Sequence, residues 1–518
     1  MTSLPRRVPA LLLGIVAFAL VLIATEPPGP GLDPDALQYM GAAESLVAHG
    51  TYRVPTAPWS SADSTMPLAH FPPGLSTALA LPVAFGMTPP QGARLLNALA
   101  AGVTVTVLVL LVAGAATPLA GIFLAVALFA MSPMLEVHVS VLSEPLFLAL
   151  LVATLAAMTV APDRPLRAGI LAALAAAMRY AGVALVGAVV LWQLLQRGPL
   201  AARLRRAALA AAPAIVLQGT WVLRTRHAAG TTAAIRRTAV YARGFGATLQ
   251  GGLITLRDWL VPDPDAWTDP FAHRGAIAVA AGVALLALML MGTIRLWRER
   301  RGSDDGAAPV NARRLLAASV LIVLCYLGMV LVSRLLADPN IPLDARILAP
   351  VLLLLSTMAA VTIGHWWIRS RTSLARIAVC GALLGWFLAS ATVVRQNAAY
   401  VLTYGSDFAG DQWRRSPLLE WARRAGATYP LYSNWPAAVY FHLHRPARLV
   451  PRSDDVRGFA AFADTLRVRD GRVLAFRVSD RQYIIEPALV RMPGLRVVLA
   501  TPDGVVLAPA PRSPTVRR

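Results

Sequence analysis

Two aspartates, Asp33 and Asp35, lie two residues apart in the stretch GLDPDALQYM, just after the first apolar run of the chain. Carboxylates this close can share a divalent cation, and an aspartate at the start of a helix can cap it. A short helix is expected to follow, because Asp35, Tyr39, Ala43 and Val47 repeat at i, i+4 with Asp35 near the N-terminus. Two more charges occupy costly positions. Glu144 is near the end of an apolar run and Arg179 is at the middle of another, where a charge must be satisfied or used.

The elements that carry these residues are set by composition. Of 518 residues 57% are hydrophobic and 14% charged, and mean hydropathy is +0.58, which marks an integral membrane protein. The net charge of +21 comes from 48 basic and 27 acidic residues, and every basic residue other than histidine is arginine. Much of that arginine falls in short loops between apolar runs, which is a topology signal and excludes nucleic-acid recognition as its purpose. Cys325 and Cys380 both lie in apolar runs, so neither a disulfide framework nor a metal-ligand cluster is expected.

A spanning helix takes about 20 apolar residues. Candidates are 8–24, 94–114, 117–132, 142–160, 207–223, 275–296, 314–336, 346–367 and 376–394, plus the long run 166–196 with Arg179-Tyr180-Ala181-Gly182 at its middle. Parity resolves that run. As two helices meeting at Arg179, it puts the arginine-rich loops near residues 6, 164, 203, 300 and 371 on one side; as one helix, it breaks the positive-inside rule from residue 197 onward. The expectation is therefore a mainly α, polytopic protein of about eleven spans in the inner membrane, with its N-terminus in the cytoplasm and its C-terminus outside. A cleaved signal peptide is the alternative for the first run.

This topology makes 1–394 a transmembrane unit with outer loops at 25–93 and 224–274, and 395–518 an extracytoplasmic tail. The tail has a helical stretch, SPLLEWARRAGA, and short apolar strands in YPLYSN, RVLAFRV and LRVVLA between Pro, Gly and Asp turns, so a small α/β domain is expected. Its end, APAPRSPTVRR, is expected to be disordered.

The order of blocks in the chain resembles the GT-C superfamily of membrane glycosyltransferases. The blocks are D-x-x-x-Y-x-x-x-A-x-x-L-x-x-x-G-x-Y at Asp35 to Tyr52, HFPPGLSTALALPVAFG from His70, ARLLNAL from Ala93, SEPLF from Ser143, RYAG from Arg179, WVLRTR from Trp221 and DARILAP from Asp344. The nearest branch uses polyprenyl-phosphate sugars and includes protein mannosyltransferases and aminoarabinose transferases. The resemblance implies a sugar donor that enters from the bilayer and a glycan, lipid or protein acceptor. It also implies an outer-loop carboxylate, matched here by Asp35, that takes the acceptor proton with inversion at the anomeric carbon. It implies no metal and no other cofactor.

A leaving phosphate would need fixed cations, for which Arg179, Arg224, Arg226 and Arg346 are the candidates. Asp33, Tyr39, His70, Glu144 and Asp344 are candidates for positioning substrate. Each has a structural alternative: interfacial arginines snorkel, aspartates cap, and a loop histidine often does neither. Trp413, Trp435 and Tyr432 to Asn434 could bind saccharide or form a small core. A transporter or flippase of lipid-linked saccharides would be expected to show two pseudo-symmetric halves and broken midplane helices, and a scaffold would leave the first-loop carboxylates idle.

The topology is open to a direct check. A cysteine placed at Ser406 is expected to react with a membrane-impermeant maleimide on intact cells, and one at Gly302 only after permeabilisation. Protection at 406 would reverse the assignment.

Overall fold

The computed structural model describes residues 4–229, 244–260, 307–336, 341–370, 373–451, 456–477 and 489–511. The expected span 275–296 and the terminal 512–518 lie outside the described residues. The protein is mainly α, with apolar helices of membrane-spanning character and a small α/β unit toward the C-terminus.

Helix α1 (Leu4–Ala24) packs along α4 (Pro89–Ala115), and small residues make the approach possible. A Cβ on Gly14 would lie 2.7 Å from the Gly102 carbonyl oxygen, a separation only glycine permits. Between them lie α2 (Ala36–His49), β1 (Arg53–Val54), β2 (Thr56–Pro58), β3 (Met66–Pro67) and α3 (Gly74–Ala84). The helix foreseen after Asp35 is α2.

The run expected as one span over 117–132 is broken. Helix α5 (Pro118–Phe129) turns through 66° into α6 (Ser132–Val139), because Ser132-Pro133 starts a new helix. Buried Asn97 donates to the carbonyls of His138 (3.0 Å) and Ser140 (2.7 Å) where α6 ends, so its backbone is not left unsatisfied. Helix α7 (Glu144–Val160) follows.

The run 166–196 is two helices, α8 (Pro165–Met178) and α9 (Val183–Leu195), separated by Arg179 in extended backbone (φ −146°, ψ 138°) and one 3₁₀ turn. Gly182 abuts the preceding helix: a Cβ there would meet the Ala175 carbonyl oxygen at 2.5 Å.

Helix α10 (Leu200–Ala229) extends beyond the 207–223 expected, so Arg224 and Arg226 are on its last turns and do not open a loop. Then come α11 (Phe245–Leu260), α12 (Ala307–Leu336), α13 (Ala345–Arg369) and α14 (Ser373–Tyr404), the last running ten residues past the expected end at 394. Among the described residues six helices are long and apolar enough to cross a membrane, the bent pair α5–α6 makes a seventh, and α3, α7, α8 and α9 are shorter apolar helices.

The tail contributes α15 (Pro417–Arg424), β4 (Leu431–Ser433), α16 (Pro436–Leu443), β5 (Ala447–Leu449), α17 (Val456–Val468), β6 (Arg472–Phe476), β7 (Leu495–Thr501) and β8 (Gly504–Pro509). Its six-stranded sheet has the order β2-β5-β4-β6-β8-β7, parallel through β2, β5, β4 and β6 and antiparallel through β6, β8 and β7. Strand β2 comes from the first loop. Trp413 and Tyr432 are core residues of this unit, and Asn434 pairs both ways with the backbone of Phe476 (2.8 and 2.9 Å), so these residues build the fold. One face of α2 is buried in the same cluster: Ala36, Leu37, Tyr39, Met40 and Ala43 pack with Leu75, Phe408, Trp413 and Tyr440. The helix carrying Asp35 at its entry is thus gripped by the tail.

Gly182 gives a test of the α8–α9 turn. Gly182→Ala is expected to lower stability by about 1–3 kcal/mol through backbone overlap, whereas Gly187→Ala, with open space around it, is expected to leave the thermal midpoint unchanged or higher. Equal midpoints for the two variants would contradict the turn.

Candidate active site

Four parts of the chain converge on Glu144. Its carboxylate, 1% exposed at the first residue of α7, pairs with both Arg179 and Arg346 through Oε1. Ser143 donates to its other oxygen at 3.3 Å. The Ser143 hydroxyl in turn accepts from Arg179 (3.3 Å) and from the phenol of Tyr39 (3.4 Å), which uses its one donor and both acceptor positions. Burial holds the Tyr39 phenol well above its usual range, so it enters this chain as a neutral donor.

Arg346, one residue into α13, spreads its fork over three carboxylates. Nε reaches Glu144, Nη2 reaches Asp35 at 2.7 Å and Nη1 reaches Asp33 at 3.5 Å. Behind it Tyr326 of α12 donates to the Ile347 carbonyl at 2.7 Å, and the Asp344 carboxylate caps the Ile347 amide at 2.8 Å, which fixes the turn that aims the guanidinium.

The two aspartates divide the roles foreseen for them. Asp35 sits at the N-cap position of α2 yet makes no side-chain cap bond; its carboxylate, 30% exposed, goes to Arg346. Asp33 makes the local bond, accepting from the Asp35 amide at 2.9 Å. Their loop is fastened on both sides, by Gly31 to Val139 and Val141 (2.8 Å each) and by the Phe408 amide to Leu32 (3.2 Å).

Three carboxylates thus face two guanidiniums, leaving one excess negative charge if all ionise. Asp33 absorbs the strain: burial first, and the neighbouring Asp35 second, push its carboxyl from the ordinary 3.8 up to about 6, with Arg346 opposing.

The cluster brings together Asp33, Asp35, Tyr39, Glu144, Arg179 and Arg346, with Asp344 as the cap beside it. His70 meets Phe71 edge-on (4.5 Å between centroids), and Phe71 lies tilted against Tyr39 (4.8 Å), so His70 borders the site at one remove. Arg224 is engaged elsewhere: it donates to the carbonyls of Leu68 (2.5 Å) and Tyr52 (2.8 Å) and lies over the rings of Trp221 and Tyr52, stapling the first loop to α10. Arg226 is exposed on that helix. Neither joins the cluster.

Ser143 and Tyr326 were missed by sequence reading; Ser143 had a signal, as it directly precedes Glu144. Among the described residues no group of three or more His, Cys, Asp or Glu side chains is placed to hold a metal ion.

No family model and no curated relative matches the chain. Among solved structures it is similar to the arabinofuranosyltransferase AftD from mycobacteria, at 19% identity and a TM-score of 0.54, over 98% of this chain and 42% of that one. Over that length the two chains share a fold. Looser similarity extends to ArnT from Cupriavidus metallidurans bound to undecaprenyl phosphate (16% identity, TM-score 0.48, 98% of each chain). It extends also to the oligosaccharyltransferase AglB from Archaeoglobus fulgidus (12%, 0.45, 85% of this chain and 64% of that one). In this fold the charged cluster lies where helix ends meet the first loop.

The raised Asp33 carboxyl has a measurable consequence. The folded protein holds a proton that the unfolded chain has released, so this group's stabilisation is full below pH 3.8 and is lost as pH rises through about 6. Asp33→Asn is expected to flatten the fall of the thermal midpoint across that window. Parallel curves for variant and wild type would exclude the shift.

Proposed function

We propose that the protein is a membrane glycosyltransferase that moves a sugar from a polyprenyl-phosphate donor to an acceptor hydroxyl at the outer face of the inner membrane, with inversion. One observation carries the reading: Asp35 stands at a helix start without capping it, and offers a partly exposed carboxylate aligned by Arg346 at 2.7 Å. A residue kept only for capping would accept from the amide of Leu37 or Gln38, and Asp35 accepts from neither. The fold shared with the arabinofuranosyltransferase AftD supports the same reading; of the looser matches, ArnT is bound to undecaprenyl phosphate and AglB to a dolichol-phosphate.

In the proposed reaction Asp35 accepts the proton of the acceptor hydroxyl while the hydroxyl oxygen attacks the anomeric carbon, and the bond from that carbon to the phosphate oxygen breaks on the opposite side. The electron pair leaves with the polyprenyl phosphate, whose charge must be met by a fixed cation. Arg346 is the candidate. Its Nη1 contact with Asp33, at 3.5 Å, is the longest of its three, and burial pushes the Asp33 carboxyl up to about 6. The phosphate therefore takes Nη1 and displaces Asp33, while Nη2 keeps Asp35 oriented. Glu144 and Arg179 hold Arg346 from behind, and Tyr39 closes the hydroxyl chain to them. Residues 1–394 form the catalytic unit and 395–518 an outer domain that grips α2.

The test is sugar transfer per mole of folded, purified protein, with donor binding measured separately. Asp35→Asn is expected to cut turnover by about 100- to 10,000-fold while donor binding survives. Arg346→Ala is expected to weaken both, and Arg346→Lys to restore only part, because an ammonium cannot reproduce the fork. Near-normal transfer by Asp35→Asn would remove the base and the reading with it.

A further inference from the structure

A pocket of about 380 Å³ lies between α6, α11, α13 and α14, outside the charged cluster but sharing the start of α13 with it. Asp344 and Ala345 line the pocket, and the next residue is Arg346, whose guanidinium holds Asp35. Carboxylates of Glu136, Asp258 and Asp344 face the pocket, with the indoles of Trp259 and Trp386.

The polar groups of this pocket are half used. One oxygen of each carboxylate is engaged: Glu136 accepts from Ser132 at 2.9 Å, Asp258 from Arg257 at 2.6 Å, and Asp344 from the Ile347 amide at 2.8 Å. The second oxygen of each takes no hydrogen bond among the described residues. Ser390, 1% exposed, also lines the pocket, and its Oγ meets no partner among the described residues; the buried Nε1 of Trp259 is in the same position. Trp386 is different, since its Nε1 donates to the Trp259 backbone carbonyl at 3.2 Å and ties α14 to α11.

These features select a ligand class. Three carboxylates repel a phosphate, and an isoprenoid chain would bury the Ser390 hydroxyl and the Trp259 N–H against hydrocarbon, leaving them unpaired at a cost. A polyhydroxylated ring suits both features. Its hydroxyls donate to the spare carboxylate oxygens and accept from the serine and the indole, and its C–H faces lie against the tryptophan rings. We propose that this pocket is a saccharide subsite, which holds a sugar ring beside the Asp35–Arg346 pair and excludes the phosphate. The proposal rests on the transferase reading for its purpose but not for its test, because binding is read without turnover. The ring could belong to the donor or to a glycan acceptor.

The experiment uses the full chain in lipid nanodiscs and saturation-transfer NMR with a panel of methyl glycosides, and measures undecaprenyl phosphate binding in parallel. At least one glycoside is expected to bind wild type. Ser390→Leu, which fills the pocket with an apolar group, is expected to weaken that binding by about tenfold or more, one such step per 1.4 kcal/mol of lost contact. Trp259→Phe keeps a ring and loses the N–H, and is expected to weaken it severalfold. Lipid phosphate should bind both variants as it binds wild type. Should Ser390→Leu fail to fold, the comparison rests on Trp259→Phe and on Asp258→Asn, which keeps the size and removes the charge.

Displacement of the glycoside by a sugar-bearing polyprenyl phosphate, but not by the bare lipid phosphate, would assign the pocket to the donor; a glycoside that stays and is extended would assign it to the acceptor. Absence of binding by every glycoside, or binding that none of these variants alters, would overturn the subsite. Glycoside binding lost in Ser390→Leu while wild type transfers no sugar would instead leave the subsite standing and remove the transferase reading.

Discussion

The buried Glu144 carboxylate and its two guanidiniums are the contact on which the rest of the site depends. A lone ionised carboxylate in such surroundings would be prohibitively unfavourable, and two cations delivered from separate helices make it tolerable. Each is delivered by a helix end. Glu144 begins α7, where the peptide dipoles favour an anion, and Arg179 follows the last residue of α8, where they favour a cation. Arg346, near the start of α13, has the dipole against it; the Asp344 cap and three carboxylates offset this. Removing any member strands the others, a loss of about 3–5 kcal/mol where a buried pair is broken.

In the proposed reaction that core serves Asp35, which lies in the first loop and has to be held there by other means. The loop before it is hydrogen-bonded to the residues after α6 and to Phe408, and α2 after it is buried against the tail. Tyr440 of α16 donates to Glu44 on α2, and β2 of the first loop completes the tail's parallel sheet. Packed against the charged cluster at Tyr39 and bonded through Phe408 to the residue before Asp33, the α/β unit determines where the first loop can lie. Position, more than any separate chemistry, is what this unit contributes to the site.

How much of this was legible in the sequence depended on whether the signal was local. The helix after Asp35 followed from i, i+4 spacing, and the break at Arg179 from charge parity across many loops, a constraint that acts on the whole chain. The bend after Phe129 had a local signal as well, Ser132-Pro133, but hydropathy alone reads through it. Arg224 shows the opposite failure. Its position near a span end suggested a phosphate partner, whereas its donors are taken by carbonyls of Leu68 and Tyr52, more than 150 residues away in the chain. No pattern in the sequence foretells such a partner. The pairing of β2 with β5 was hidden for the same reason: a three-residue strand has no periodicity to read, and its partner lies in another region.

The imbalance of charge in the cluster ties these parts to the proposed chemistry. Had the chain supplied a third guanidinium, all three carboxylates would be neutralised at rest, and an arriving phosphate would have to break a satisfied pair to be recognised. With two, one carboxylate is in excess when all are ionised, and the strain collects on Asp33 because burial first and the neighbouring Asp35 second disfavour its charge, while Arg346 stands 3.5 Å away. Exchange of Asp33 for a phosphate oxygen then costs Arg346 little, since one anion replaces another. The shorter bond to Asp35 is untouched by that exchange. Recognition of the leaving group and alignment of the base can therefore reside in a single side chain, provided that side chain is a forked guanidinium with separate nitrogens for each.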